Sequence, residues 1–410
     1  MVAFLILLFV SKGAAQVVQQ LSRTSLSAEF ARLNGLRKVG GAPRAPVVTS
    51  ATGEELVTDV SRLPEHFDWR NVNGRSFVTP DIQQHLPAYC GSCWIHGVVG
   101  ALNDRLKLQR RGKFPEVMLS RQALLNCVPD SNGGPPPGCS GGESWSILKY
   151  MHETPVPDET CMPYMATNMA CEPFNVCRNC APVVIVQPNG SYNIDGATCF
   201  AMKHWTRYRV GDHGIVRGEI SMQKEIYARG PIACNVNVVI DGLEFVFNYT
   251  TNKGVLRDNV FYTDTPTNET DHVMEVAGWG VSTLRTKYWA LRNTWGSYWG
   301  DSGWVKIRRG VNQQMVESEC YWGVLEFEDL ERELNGQVLG DYYTGVRVRA
   351  EGGEVIKLDE TAESGVSQGL GYCSWAYIVM AMATSACIGS VLTYRLSAVR
   401  YTPFQPKLLG

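Results

Sequence analysis

Apolar residues recur at every fourth position through Trp94, Val98, Leu102 and Leu106. That spacing lines one face of a helix, so an amphipathic helix is expected to start at about Cys93. Farther along, Val273 to Trp279, Tyr288 to Leu291 and Gly303 to Ile307 are short runs of β-branched and aromatic residues broken by glycine. Runs of this kind read as antiparallel strands. The chain after about residue 200 is therefore expected to be sheet-rich and the stretch around Cys93 helical, an α+β arrangement in two halves. No internal repeat is present.

The two ends differ from this middle. Val2 to Val10 is uninterruptedly apolar, stops at Ser11-Lys12 and is followed by Gly13-Ala14-Ala15, so residues 1–15 read as a signal peptide. Residues 16–62 are polar, contain Pro43 and Pro46 and have neither cysteine nor a sustained helical period; they read as a propeptide. The globular part is expected at 63–330, which holds eleven of the thirteen cysteines. A Gly- and Glu-containing linker is expected at 331–371. No charged residue occurs from Ser364 to Tyr394, enough for a membrane span of roughly 20 residues, and a C-terminal transmembrane helix is placed at 372–394. Arg395, Arg400 and Lys407 follow it and Glu351, Glu354, Asp359, Glu360 and Glu363 precede it. A type I topology with a cytosolic tail at 395–410 follows from that asymmetry. Tyr401-Thr402-Pro403-Phe404 resembles a tyrosine-based sorting signal.

Composition changes the picture in two respects. A net charge of −2 over 410 residues, with no long basic run, supplies no attraction for nucleic acid, which is excluded as a partner. Cysteines in a secretory compartment become bridges unless chemistry or lipid keeps them apart. Asn189, Asn248 and Asn268 head N-x-Ser/Thr sequons and are the candidate glycosylation sites.

The candidate chemistry centres on Cys90-Gly91-Ser92-Cys93-Trp94. A thiol attacks only as thiolate, and a helix N-terminus together with a nearby imidazolium lowers its pKa. Cys-x-x-Cys also marks redox sites and zinc ribbons. The other such pair, Cys177 and Cys180, lies more than eighty residues away, without ribbon spacing or a βαβ context, so no metal or other cofactor is expected. A nucleophilic cysteine needs a histidine from elsewhere in the chain. His96 lies three residues along the same helix; His272 stands in Asp271-His272-Val273, which runs into Val276-Ala277-Gly278-Trp279-Gly280.

With Asn293-Thr294-Trp295-Gly296, Trp299-Gly300 and Gly303-Trp304, these segments resemble the papain family of cysteine peptidases. The resemblance covers roughly residues 63 to 325. It implies a two-domain fold, a helical domain carrying Cys93 and a β-barrel-like domain carrying His272 and Asn293. It also implies peptide hydrolysis through a thioester, with Cys93 as nucleophile, His272 rather than His96 as base, and Asn293 orienting the imidazole under Trp295. Gln84 would serve the oxyanion beside the Cys93 N–H.

Within the family the cathepsin X (cathepsin Z) branch is the nearer match. The stretch His85-Leu86-Pro87-Ala88-Tyr89 makes the gap from Gln84 to Cys90 three residues longer than in most papain relatives and resembles that branch's His-Ile-Pro loop. There the histidine binds the terminal carboxylate of the substrate, which implies a carboxypeptidase with His85 in that role. Cys139-Ser140-Gly141-Gly142 resembles the branch's cleft-lining glycine segment, making Gly141 and Gly142 substrate-binding. Setting aside Cys93, Cys373 and Cys387 leaves ten cysteines. The resemblance pairs them as Cys90–Cys139, Cys127–Cys171, Cys161–Cys177, Cys180–Cys199 and Cys234–Cys320.

Expected partners are peptides and proteins with free C-termini, the chain's own propeptide as inhibitor, and a membrane. The expected location is the secretory pathway, in the lysosomal or endosomal lumen, with the cell surface as an alternative. Three features depart from the branch: the propeptide has no cysteine to cap the nucleophile, the segment between Cys180 and Cys199 is longer, and the C-terminal tail is extra. The competing readings are an endopeptidase or dipeptidase, and a catalytically silent membrane-tethered peptide-binding module.

Overall fold

The computed structural model describes residues 35–37, 44–187, 189, 191–238, 256–263 and 268–327, with the backbone of 347–350 and 355–356. Its helices are α1 (Gly53–Leu56), α2 (Cys93–Gln109), α3 (Arg121–Cys127), α4 (Ser144–Glu153), α5 (Pro173–Val176) and α6 (Glu219–Arg229). Its strands are β1 (Phe67–Asp68), β2 (Arg178–Val186), β3 (Tyr192–Ala201), β4 (Tyr208–Val216), β5 (Ile232–Val236), β6 (Leu256–Arg257) and β7 (Val260–Phe261). They continue as β8 (His272–Val281), β9 (Lys287–Arg292), β10 (Trp304–Arg308), β11 (Cys320–Phe327), β12 (Arg347–Ala350) and β13 (Val355–Ile356).

Helix α2 fits the four-residue apolar period but is buried on nearly every side. Gly97 and Gly100 explain how it packs. A Cβ at Gly97 would stand 2.6 Å from Val273 Cγ1, and one at Gly100 would stand 2.8 Å from Glu275 Oε2. A mid-helix glycine costs about 1 kcal/mol relative to alanine; here two of them let α2 lie directly against β8.

Strand β8 is central to a sheet ordered β4-β11-β5-β8-β9-β10-β7-β6, with β1 also on β8. Its pairings with β5 and β9 are antiparallel, whereas β10 and β7 run parallel. Two cores result. One packs Trp69, Phe77, Trp279, Trp289 and Ile307 against the sheet; the other gathers Trp94, Ile95, Val99, Leu102, Leu124 and Ile147 around α2. Cys90–Cys139, Cys127–Cys171, Cys161–Cys177 and Cys234–Cys320 are bridged in this unit.

A second unit comprises Asn179–Phe200 and the two strands beyond residue 341. Its sheet is ordered β13-β12-β2-β3, and Cys180–Cys199 ties β2 to β3. The longer segment between these cysteines is thus mostly a ribbon of extended strands. Residues 331–371, expected as linker, contain β12 and β13. In Arg347-Val348-Arg349-Ala350, charged and apolar side chains alternate with the period of a strand, and the segment pairs in parallel with Val183–Val186. Among the described residues no helix is long and apolar enough to cross a membrane. The expected signal peptide (1–15) and transmembrane segment (372–394) lie outside the described residues.

Candidate active site

The contacts of Gly97 with Val273 and of Gly100 with Glu275 put α2 in register with β8. One helical turn before Gly97 stands Cys93, and the start of β8 is His272. The thiol is fully buried, and backbone hydrogen bonding from Val273, Trp94 and Cys93 itself favours its charged form. Cys93 is the one free cysteine among the described residues.

His272 donates from Nε2 to Asn293 Oδ1 at 2.7 Å. This bond sets the tautomer: with the proton on Nε2, Nδ1 carries the lone pair. Nδ1 is buried and has no hydrogen-bond partner among the described residues, so it is the nitrogen able to accept a proton. Asn293 is fixed through its N–H to Gly303 O (2.9 Å), and its Oδ1 also accepts from Thr294 N–H (2.7 Å). The Trp295 ring covers the imidazole at a centroid distance of 5.0 Å and meets Trp299 edge-on at 5.6 Å. His96 is turned elsewhere. Its Nδ1 lies 3.0 Å from Ser92 O and 3.1 Å from Ser92 Oγ, and its ring meets Tyr164 edge-on.

Gln84 is fully buried. Its N–H donates to Thr294 O at 2.9 Å, and its Oε1 accepts from Thr294 Oγ1 at 2.5 Å, which orients the amide so that Nε2 faces Cys90 O at 3.1 Å. The amide carries two N–H groups. Thr294 stands between two residues singled out from the sequence, and its part in holding Gln84 was not anticipated. Tyr164, which donates to Gln84 O at 2.7 Å, left no signal at all, because it comes from a distant segment.

A second unanticipated element is Arg292, next to Asn293 and buried. It donates from Nη1 to Thr79 O (2.6 Å), from Nη2 to Asp104 Oδ2 (2.9 Å) and from Nε to Glu275 Oε2 (3.2 Å). One guanidinium thus joins the helix of Cys93, the strand of His272, the end of the strand before Asn293 and the segment leading to Gln84. Burial pushes the Glu275 carboxyl far above its usual range, Arg292 notwithstanding.

The site is covered. Gly142 N–H donates to Gly35 O (2.8 Å) and Arg37 N–H donates to Gly142 O (2.9 Å), a parallel pairing that lays residues 35–37 along Gly142. A Cβ on Gly35 would stand 2.0 Å from Gly91 O, and its φ is +98°. Leu36 is buried in the same cluster as Cys93 and Trp94. Gly141 and Gly142, expected to line the cleft, therefore hold the chain's own N-terminal segment.

Burial works against the electrostatics expected of a helix-terminal cysteine. Burial drives the thiol pKa up, with the Asp271 charge adding to it, and drives His272 down to about 4 although its bond to Asn293 opposes the shift. Desolvation outweighs the helix terminus here and disfavours the charged form of each group.

His85 stacks on Tyr89 with centroids 4.5 Å apart and planes 6° from parallel, 6.5 Å from the Trp295 ring. It is half-buried, its Nδ1 has no partner among the described residues, and burial lowers its pKa. Asn189 and Asn268 are exposed, while Asn248 lies outside the described residues. Among the described residues no group of His, Cys, Asp and Glu is arranged to hold a metal ion.

The sequence profile of the papain family cysteine proteases matches residues 63–324. Cathepsin Z of Onchocerca volvulus is 35% identical over 268 residues, covering 63% of this chain and 77% of that protein. A gut-specific cysteine proteinase of Caenorhabditis elegans is 28% identical over 283 residues, covering 67% and 76%. Among solved structures, the digestive procathepsin L2 proteinase from Tenebrio molitor larval midgut has a similar fold. Its TM-score is 0.52 at 23% identity, with 72% of this chain and 78% of that one covered.

Proposed function

Given that the chain belongs to the papain family of cysteine proteases, we propose that it is a carboxypeptidase, held latent by its N-terminal segment. Once residues 35–37 have left, water returns to the site and Sγ passes its proton to His272 Nδ1. The thiolate attacks the scissile carbonyl, and the oxyanion takes hydrogen bonds from Cys93 N–H and the second N–H of Gln84. The imidazolium then gives its proton to the departing amine, leaving a thioester. Water, deprotonated by the same nitrogen, hydrolyses the thioester and restores the thiol.

The observation that carries the carboxypeptidase reading is His85. The lengthened segment before Cys90 sets its imidazole beside Trp295, which covers the catalytic histidine, with Nδ1 lacking a partner among the described residues. An arriving carboxylate favours the imidazolium and so opposes the lowering of the His85 pKa by burial. The charge-assisted bond is worth about 1.5–3 kcal/mol, or roughly ten- to a hundredfold. Similarity to a protein named cathepsin Z supports the same reading.

Matched peptides with free and amidated C-termini test it. The free form is expected to be cleaved at its last bond with the higher kcat/KM, increasingly so toward acid pH, and His85→Ala is expected to lose the difference while Cys93 still reacts with a vinyl sulfone. Equal cleavage of both peptides would leave an open-cleft endopeptidase. Passage through the secretory pathway is proposed with it, supported by five disulfides. Anchoring at 372–394 rests on the sequence, and release of the full chain by carbonate wash would remove it.

A further inference from the structure

Behind the strand edge that pairs with residues 35–37, the chain's N-terminal segment places a guanidinium between two carboxylates. Arg44 donates from Nη2 to Glu143 and from Nη1 to Glu319, and lies 3.2 Å from the Tyr321 hydroxyl. Glu143 directly follows Gly142, is 6% exposed, and stands at the mouth of α4. Glu319 is 8% exposed and precedes the bridged Cys320 on β11. The floor between them is polar and ordered. Asn235 Nδ2 donates to Glu319 Oε2 (3.2 Å), Asn235 N–H donates to Glu319 O (3.0 Å), and Ser144 Oγ donates to Asn235 Oδ1 (3.3 Å). Arg217 approaches Glu319 at 3.7 Å from a largely exposed position.

Two carboxylates this buried are costly without a cation, and breaking such a pairing from one side is penalised more than forming it is rewarded. The cation here is supplied by residue 44, outside the matched protease region of 63–324. Whatever removes the N-terminal segment removes that charge, taking the guanidinium from Glu143 and leaving Arg217 beside Glu319. The recess adjoins the Gly142 backbone, whose N–H and C=O are the groups freed for an extended peptide in the cleft. A peptide pairing there sends side chains alternately to the two sides of its backbone, and Glu143 is the residue next to the pairing position.

We propose that Glu143 and Glu319 form a cation-recognising subsite. It holds Arg44 in the latent chain and takes an arginine or lysine side chain of the substrate, N-terminal to the scissile bond, in the processed enzyme. The inference rests on the peptidase reaction and not on the carboxypeptidase direction of attack.

The full chain, after removal of its N-terminal segment, is assayed on peptides that carry arginine, citrulline or norleucine at each of three positions before the scissile bond. Citrulline keeps the shape of arginine without its charge. At one position arginine is expected to exceed citrulline by about ten- to a hundredfold in kcat/KM. Glu143→Gln and Glu319→Gln are expected to bring the ratio below about threefold. If these variants do not fold, the wild type still decides. A synthetic peptide of residues 35–50 is expected to inhibit it at least about tenfold more tightly than the same peptide with citrulline at position 44. Equal turnover of arginine and citrulline peptides at every position, or equal inhibition by the two synthetic peptides, overturns the proposal. The free and amidated comparison runs on the same enzyme, so loss of the C-terminal preference alone removes the carboxypeptidase reading and leaves the subsite standing.

Discussion

Gly35→Ala is expected to unlatch the covered site. A methyl group at this position would stand 2.0 Å from the carbonyl oxygen of Gly91, well inside van der Waals contact. Gly91 has little room to yield, because its N–H is bonded to Cys139 O (3.0 Å) and its neighbour Cys90 is bridged to Cys139. The backbone at Gly35 has φ +98°, a region that costs an L-residue about 1–2 kcal/mol. Displacing the segment also gives up the bond from Gly142 to Gly35 O, worth about 1 kcal/mol. Together these shift the covered-to-open balance by roughly 2–3 kcal/mol, a 30- to 150-fold larger open fraction. The assay is iodoacetamide modification of Cys93 in the unprocessed chain, read at the Cys93 peptide so that Cys373 and Cys387 do not contribute. Gly133→Ala is the control, since Gly133 has φ +80° but open space around its Cβ position. The rate is expected to rise about 30-fold or more in Gly35→Ala and to stay near wild type in the control. A rate within twofold of wild type would show that residues 35–37 do not guard the thiol.

His272→Ala is expected to lower kcat/KM by several orders of magnitude, whereas His96→Ala, which loses bonds only to Ser92, retains more than about a tenth of it. The reverse ranking would move the base to His96. The latent chain is expected to lose stability in acid. Burial depresses His272 from 6.5 to about 4, so the covered state refuses a proton that an opened or unfolded chain accepts. That stability is complete above pH 6.5 and lost as pH falls through 4, by about 3 kcal/mol in all. Comparing melts of Cys93→Ala with and without His272→Gln between pH 7 and 4 measures it, and parallel curves would refute it. Arg292→Met leaves Asp104 and Glu275 buried without their guanidinium, which is expected to cost about 3–5 kcal/mol, seen as a melting temperature lower by roughly 6–20 °C. A change under about 2 °C would mean the cluster is dispensable.

Helix α2 and strands β8, β9 and β10 were legible because each buries a continuous set of side chains whose period shows in a single segment. Cys93, His272 and Asn293 were legible for a related reason: each stands in a run of glycines and tryptophans that constrains backbone and cover together. The strands within 331–371 were missed because β12 and β13 are short, and β2, on which β12 pairs, is more than 160 residues away in sequence. Pairing of that kind depends on a neighbour's edge and not on local pattern.

Residue types and local spacing singled out the groups proposed to carry the chemistry, a helix-terminal thiol, an imidazole and an amide in segments that match the papain family. Their state could only come from tertiary structure. The proton on His272 Nε2 follows from a bond to a residue 21 positions away, and the opposite pKa shifts of the Cys93 thiol and the His272 imidazole follow from their burial. Arg292, Thr294 and Arg44 work through partners up to 277 positions distant. Charge, hydration and hydrogen-bond partnership are properties of a packed neighbourhood, and a chain acquires its neighbourhood only by folding.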